Sequence, residues 1–116
     1  MIARTAVSAL GALAHEHRLA CFRMLVEAGP NGIAAGSISG RLGIPPSSLT
    51  FHLQQLLHAG LATQRRASRH VIYAADFTAM NQLVAYLTEN CCGAGPATPA
   101  CVPAAALPDT ARKSAW

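Results

Sequence analysis

Charged side chains are scarce in this chain. Only 12% of its 116 residues are charged, and nine basic residues outnumber five scattered acidic ones. The formal net charge of +4 therefore depends on where a few arginines lie. Arg65, Arg66 and Arg69 fall within five residues of one another. This spacing predicts a local basic patch of the kind that contacts nucleic-acid phosphates.

Long hydrophobic runs are also missing. Although 52% of the residues are hydrophobic, alanine supplies much of that fraction. No apolar run approaches the roughly 20 residues of a membrane-spanning helix, so we expect a soluble protein without a membrane partner. Residues 4–14 faintly imitate a secretory signal peptide, but the helical period continues unbroken through Leu19 and Leu25. This continuity favours a protein that stays in the cytoplasm.

Three of the four cysteines lie close together: Cys91, Cys92 and Cys101. Soft thiolates at this density suit a thiophilic ion or a redox couple, and a reducing cytoplasm favours thiols kept available for a ligand. Adjacent sulfurs converge only if the chain unwinds, which Gly93 permits. Three thiolates without a fourth donor fit pyramidal trivalent arsenic or antimony better than tetrahedral zinc. The spacing alone also allows a buried cysteine pair or a disulfide.

The remaining cysteine and three histidines are assigned no ligand role. Cys21 lies beside Phe22 in an apolar helical pattern, which predicts a small core residue. His15 and His17 stand near a helix start, and His70 stands on a predicted hairpin. None has an acidic partner at a matching spacing, so we interpret all three as polar surface groups.

Apolar residues recur with the helical period in five segments, and two further segments alternate as strands do. Pro46 suits the first position of a helix, Gly43 suits a helix C-terminal cap, and Asp76 suits an N-cap. The pattern predicts a mainly α fold with a small β-hairpin. The predicted helices span residues 2–14, 15–28, 37–42, 46–58 and 76–90, and the strands span 62–66 and 69–74 around a tip at 67–68.

The length is that of one domain with a modest core. We place this domain at residues 1–92, followed over 93–116 by a tail that is rich in Gly, Pro and Ala and carries Cys101. The two terminal helices each bear an apolar stripe. In a domain this small, such stripes indicate packing in a symmetric dimer.

The helix predicted over residues 46–58 has one face of hydroxyls, amides and rings without a charge. Ser47, Ser48, Phe51 and Gln55 project away from its leucine stripe, and such groups read base edges. An ordinary solvated face is the alternative. With the helix and short turn before it, the pattern predicts a helix-turn-helix. The arginine-bearing hairpin would reach a phosphate or the minor groove, as a wing does.

Four sequence blocks occur in a specific order and spacing, although each is weak alone. They are Ala12-Leu13-Ala14-His15-Glu16-His17-Arg18-Leu19, then Leu42-Gly43-Ile44, then Ser47-Ser48-Leu49-Thr50-Phe51-His52-Leu53 running into Ala59-Gly60-Leu61, and finally Arg65 to Tyr73. Over roughly residues 9–92, the chain thereby resembles the ArsR/SmtB family of winged-helix metalloregulatory repressors.

The resemblance implies a homodimer that places two recognition helices in successive major grooves of a palindromic operator. Such a protein represses transcription until an inducer binds. His52 is equally suited to orienting the recognition helix and to touching a base. The residues expected to contact double-stranded DNA are Ser47, Ser48, Thr50, Phe51, His52 and Gln55 on the helix, with Arg65, Arg66 and Arg69 on the wing.

The family places its inducer sites on different elements. Its Cys-Val-Cys arsenic motif is absent, because Ser37-Ile38-Ser39-Gly40 stands there. The zinc-type site of the last helix needs histidines, which residues 77–90 lack, so no zinc is expected. The cluster of Cys91, Cys92 and Cys101 resembles the site of an arsenite-responsive subgroup. The expected inducer is therefore arsenite, with antimonite as a second ligand.

Two rival functions use the same cysteines. One is a redox-sensing repressor of the same fold, in which Cys101 forms a disulfide with Cys91 or Cys92. The other is a small thiol enzyme, which needs a cysteine at a helix N-terminus or in a phosphate-cradling loop to lower its pKa. These cysteines instead follow a helix C-terminus, where the helix dipole opposes a thiolate. We therefore expect no enzyme activity.

Overall fold

The computed structural model describes residues 1–94. The chain divides into a first compact unit, Met1–Val84, and a second that begins at Ala85. The predicted tail, including Cys101, lies almost wholly outside the described residues. The elements are α1 Ala3–Leu13, α2 Glu16–Ala28, β1 Ile33–Ala34, α3 Ala35–Leu42, α4 Pro46–His58, β2 Ala62–Ala67, β3 His70–Ala75, α5 Phe77–Leu87 and a 3₁₀ turn Cys91–Ala94.

A leucine-rich core lies where α2, α3 and α4 meet. Leu25 of α2, Ile38 of α3, and Leu53 and Leu56 of α4 have no exposed surface, because the helical period places them all on inward faces. Burying one such side chain stabilises the fold by about 1.5–3 kcal/mol. The core therefore fixes how α4 sits on the helices behind it.

The α3–turn–α4 connection has the geometry of a helix-turn-helix. Gly43 adopts φ 65° and caps α3, as predicted, because its left-handed backbone lets its N–H reach the Ser39 carbonyl at 2.9 Å. The Ser39 hydroxyl donates to the Ile44 carbonyl at 2.6 Å. Pro46 opens α4, where its missing N–H costs nothing. These contacts fix the angle at which α4 leaves the turn.

The predicted hairpin is part of a three-stranded antiparallel sheet in the order β1-β3-β2. Its turn lies at Ser68 and Arg69, one residue later than predicted, and Ser68 takes a left-handed φ of 59°. The third strand, β1, is not among the two strands that the sequence predicts. It pairs with β3 because Gly32 lets the chains approach closely: a Cβ there would lie 2.5 Å from the Tyr73 carbonyl oxygen.

The two terminal helices are shorter than predicted, and α1 spans Ala3–Leu13 instead of residues 2–14. α1 buries Ala6, Ala9 and Ala12 and leaves Ile2, just before it, and Val7 exposed, because small side chains allow close packing against the core. The prediction ends the last helix at residue 90, whereas α5 ends at Leu87. Within the described residues, no helix is long and apolar enough to cross a membrane.

Candidate nucleic-acid interface and sulfur cluster

The outward face of α4 carries most of the predicted base-reading side chains. Ser47, Ser48, Thr50 and Phe51 are all exposed, and Phe51 has 59% of its surface accessible. Gln55 is half-buried. The Thr50 hydroxyl donates to the Pro46 carbonyl at 2.9 Å, so its proton is engaged while its lone pairs can still accept. The face thus offers donors, acceptors and an apolar ring.

His52 is placed differently from the other predicted contacts. It is only 9% exposed, because it follows Leu49 by three residues and precedes Leu56 by four, on the inner face of α4. Its ring centroid lies 4.7 Å from that of His15 and 5.6 Å from that of His17, at the start of α2. The structure therefore favours the role of orienting α4 over that of touching a base.

The surroundings of His52 disfavour its charged form. Burial lowers the pKa of His52 from its ordinary value, and the nearby His15, Arg18 and His17 lower it further. The Nδ1 atom of His52 is buried and has no hydrogen-bond partner. A buried polar atom of this kind costs free energy unless something satisfies it.

The wing arginines are exposed, as a phosphate-contacting surface requires. Arg65 and Arg66 lie on β2, and Arg69 lies in the turn. Arg65 donates from a terminal nitrogen to the main-chain carbonyl of Asn31 at 2.9 Å. This bond connects β2 to the loop before β1. Arg66 and Arg69 follow Arg65 in the sequence, at the end of β2 and in the turn of the wing.

The sulfur pair follows α5. Asn90 and Cys92 take left-handed φ angles of 56° and 58°, so the backbone at the two cysteines is not α-helical. Cys91 Sγ and Cys92 Sγ are 3.9 Å apart, and both residues are exposed. Cys91 is a free thiol, whereas Cys92 takes part in a disulfide bond. Cys101, the third predicted ligand, lies outside the described residues.

Cys21 has the core role that was predicted. Its side chain has no exposed surface, and burial raises the pKa of its thiol. A buried, protonated thiol is neither a nucleophile nor a metal ligand. Within the described residues, Cys21 therefore differs in accessibility from the exposed Cys91 and Cys92.

Sequence reasoning missed the histidine cluster of His15, His17 and His52. One ligand atom from each lies within 4.8 Å of the others. The positions are two residues apart and then 35 residues apart, so no metal-ligand spacing signals them. The only sequence signal is that His52 falls on the buried period of α4 while remaining polar.

The sequence and fold of this chain are similar to those of known transcriptional regulators. Residues 13–65 match a family described as a helix-turn-helix domain. The chain is 33% identical over 89 residues to the transcriptional activator HlyU of Vibrio cholerae, covering 77% of this chain and 80% of HlyU.

Two solved structures extend the likeness. An ArsR-like transcriptional regulator from a Rhodococcus species has a TM-score of 0.61 and 26% identity, covering 72% of this chain and 76% of that one. The transcriptional repressor BigR of Xylella fastidiosa has a TM-score of 0.59 and 25% identity, covering 82% and 92%. All three relatives are transcriptional regulators. The chain belongs to the ArsR family of winged helix-turn-helix transcriptional regulators.

Proposed function

We propose that this regulator is a homodimeric repressor that leaves its operator when trivalent arsenic or antimony binds Cys91, Cys92 and Cys101. The observation that carries the proposal is the close, exposed pair of sulfurs at Cys91 and Cys92. The relatives support DNA-binding regulation in general. The choice of inducer comes from the cysteines of this chain.

The separation of the sulfurs suits a shared ion. Two sulfurs bound at about 2.3 Å to one pyramidal ion, with a bond angle of roughly 90–100°, lie about 3.4 Å apart. Cys91 Sγ and Cys92 Sγ are 3.9 Å apart, so binding one ion requires only a small approach. Arsenous acid would exchange its three hydroxyls for the sulfurs of three thiols. The thiol protons leave with the hydroxyls as three waters, and no oxidation state changes. Cys101 is the third thiol in this proposal.

The DNA contacts follow from α4 and the wing. The side chains of Ser47, Ser48 and Phe51 would enter the major groove, where hydroxyl and apolar groups distinguish base edges. Arg66 and Arg69 would contact phosphates beside it, and such contacts supply much of the affinity. The core beneath α4 holds the outward face in place.

A homodimer supplies the second recognition helix. Ile2, Val7 and Leu10 in and before α1 expose 66%, 68% and 42% of their surfaces. A row of exposed apolar side chains on a helix that buries only alanines is suited to an isologous subunit interface. A palindromic operator then matches the two-fold symmetry of the protein.

Release requires that the ligand distinguish two states of the dimer. The cysteines directly follow α5, so a metalloid that gathers their sulfurs constrains the backbone after that helix. If this geometry differs between the DNA-bound and free dimers, the ligand shifts the population between them. A typical coupling of about 1–3 kcal/mol weakens operator binding roughly 5- to 150-fold.

The same cysteines support a redox repressor as the second candidate. The observation in its favour is that Cys92 takes part in a disulfide bond while Cys91 is a free thiol. In that mechanism, two thiols lose two electrons and two protons to an oxidant such as peroxide, which becomes two waters. The arsenic mechanism instead requires the reduced chain.

An operator gel shift separates the two functions. The reduced full chain is bound to the promoter DNA it protects and titrated in turn with arsenite, antimonite, zinc and peroxide. Release by arsenite under reducing conditions, with one arsenic per chain by native mass spectrometry, supports the proposal. Retention on DNA at saturating arsenite contradicts it, and release by peroxide alone, with a mass loss of two hydrogens, supports the redox candidate.

A further inference from the structure

Three imidazole rings from distant parts of the sequence meet at one place. His15 and His17 flank the first residue of α2, and His52 lies on the inner face of α4. The ring centroids are 4.7 to 5.6 Å apart, and one ligand atom from each ring lies within 4.8 Å of those of the other two. Imidazole is the commonest protein ligand for zinc-like cations.

The buried member of the cluster lacks a partner. His52 is more than nine-tenths buried, and its Nδ1 atom makes no hydrogen bond. Buried ring nitrogens are ordinarily satisfied by protein, water or a metal. The His52 ring that carries this atom lies against both other rings.

The other two rings have the freedom that a metal site needs. Three nitrogens bound tetrahedrally at about 2.0–2.1 Å from one ion lie about 3.3 Å apart, so the present spacing must close. His15 and His17 are exposed and can turn on their side-chain bonds. The Nδ1 atom of His15 accepts the N–H of His17 at 3.1 Å and so caps α2, which leaves its Nε2 atom for a metal.

We propose that His15, His17 and His52 form a binding site for a divalent cation of the zinc class. The three imidazoles supply three ligands, and a water completes a tetrahedron. This site is separate from the cysteine cluster. The sequence predicts no zinc, because the last helix lacks histidines and because His15 and His17 have no acidic partner at a matching spacing. The packing of His52 against them supplies a third imidazole instead.

The surroundings limit the affinity. The Arg18 guanidinium acts electrostatically on His52, and its charge opposes a cation. The cluster contains no carboxylate or thiolate, so no ligand charge offsets that of the metal. The site should therefore bind more weakly than a closed four-cysteine zinc site.

Occupation of the site would join two elements of the first unit. A metal held by all three rings links the N-terminus of α2 to α4 through direct bonds. Because α4 is the recognition helix in the proposed function, the ion would restrain the orientation of its DNA-reading face. This consequence rests on the proposed function, whereas metal binding itself does not.

Cobalt(II) is a suitable probe, because its visible absorption reports tetrahedral coordination. The full chain carrying Cys91→Ser, Cys92→Ser and Cys101→Ser is titrated with cobalt, so that thiolates outside the core do not compete. We expect one cobalt per chain, with tetrahedral bands and no thiolate charge-transfer band. His17→Gln removes one ligand but keeps the main-chain N–H that His15 caps.

The matched control is His70→Gln, an exposed histidine on the wing. Losing a metal ligand lowers metal affinity more than losing an outer-shell partner does, so His17→Gln should weaken cobalt binding by at least about 100-fold. His70→Gln should leave cobalt affinity unchanged. Circular dichroism checks that both variants fold. Equal cobalt affinity in folded His17→Gln and the parent, or no cobalt binding by the parent, overturns the proposal.

The test is independent of DNA binding and of arsenic. If cobalt binds and the operator gel shift fails, the metal site stands without the proposed function. If arsenite releases the operator and cobalt does not bind, the reverse holds. Zinc added to the operator complex of the parent and of His17→Gln then measures any effect of the site on DNA affinity.

Discussion

Helix α4 and the 3₁₀ turn Cys91–Ala94 carry the side chains of the two proposed sites, but they are held in different ways. α4 rests on Leu49, Leu53 and Leu56, none more than 1% exposed. The turn contains Cys92 with a left-handed φ and follows a left-handed Asn90. The position of the proposed DNA-reading face is set by the core, whereas that of the sulfurs is set by the local backbone. In the proposed function, a ligand can therefore rearrange the sulfurs without unfolding that face.

The largest effect should come from breaking the support beneath α4. Leu53→Ala deletes a fully buried side chain and should lower the free energy of unfolding by about 2–5 kcal/mol. Urea denaturation measures the loss. The matched control is Ser48→Ala, an exposed residue on the opposite face of α4, where we expect a change within about 0.5 kcal/mol. Similar losses in both variants would mean that the core does not hold α4.

The next effect tests whether sensing is separable from DNA binding. Cys91→Ser and Cys92→Ser should bind the operator as the parent does but lose the roughly 5- to 150-fold weakening by arsenite. The operator gel shift with and without arsenite measures both quantities. Cys21→Ala is the control, because a buried core cysteine should leave the arsenite response intact. A variant at position 91 or 92 that cannot bind the operator would contradict the separation.

A smaller effect is expected at the wing. Arg66→Ala removes one proposed phosphate contact and should weaken operator and non-specific DNA binding alike, by about tenfold. The slope of log affinity against log salt should fall in magnitude by about 0.9. Fluorescence anisotropy across a salt series gives both values. Arg4→Ala, which makes the same change in net charge on α1, should leave the slope unchanged, and an equal drop there would argue against a specific wing contact.

The smallest effect is expected at the start of α5. The Asp76 carboxylate accepts the N–H of Ala79 at 3.0 Å, which is an N-cap, as predicted from the sequence. Asp76→Ala should lower the free energy of unfolding by about 1 kcal/mol. Asp76→Asn, which keeps an accepting oxygen, should lose less. Thermal unfolding of the two variants measures the difference, and equal losses would show that the hydrogen bond contributes little.

Local patterns account for the parts of this molecule that were predicted correctly. The buried leucines specify α4, and Pro46 and His58 bound it at the predicted residues. Gly43 and Asp76 cap helices by short-range chemistry that is visible in the sequence.

Features that depend on the backbone path or on tertiary contact were not predicted. The last apolar residue of the α5 pattern is Leu87, where the helix ends, but the polar residues 88–90 that follow include no glycine or proline to mark that end. The left-handed turn at Asn90 was likewise not predicted. The wing turn lies one residue later than predicted. Its first residue, Ser68, takes a positive φ that serine rarely adopts, so the sequence does not reveal it. The histidine cluster needed the packing of α2 on α4 before His15 and His52 became neighbours.

The bond from Arg65 to the Asn31 carbonyl has a consequence for how this wing tolerates change. The acceptor is a main-chain oxygen, which every amino acid supplies, so replacing the side chain at position 31 leaves the anchor in place. Only the donor is irreplaceable: a lysine at 65 has the charge but a different reach and no planar fork. The hydrogen bond between β2 of the wing and the loop before β1 therefore depends on one side chain, that of Arg65.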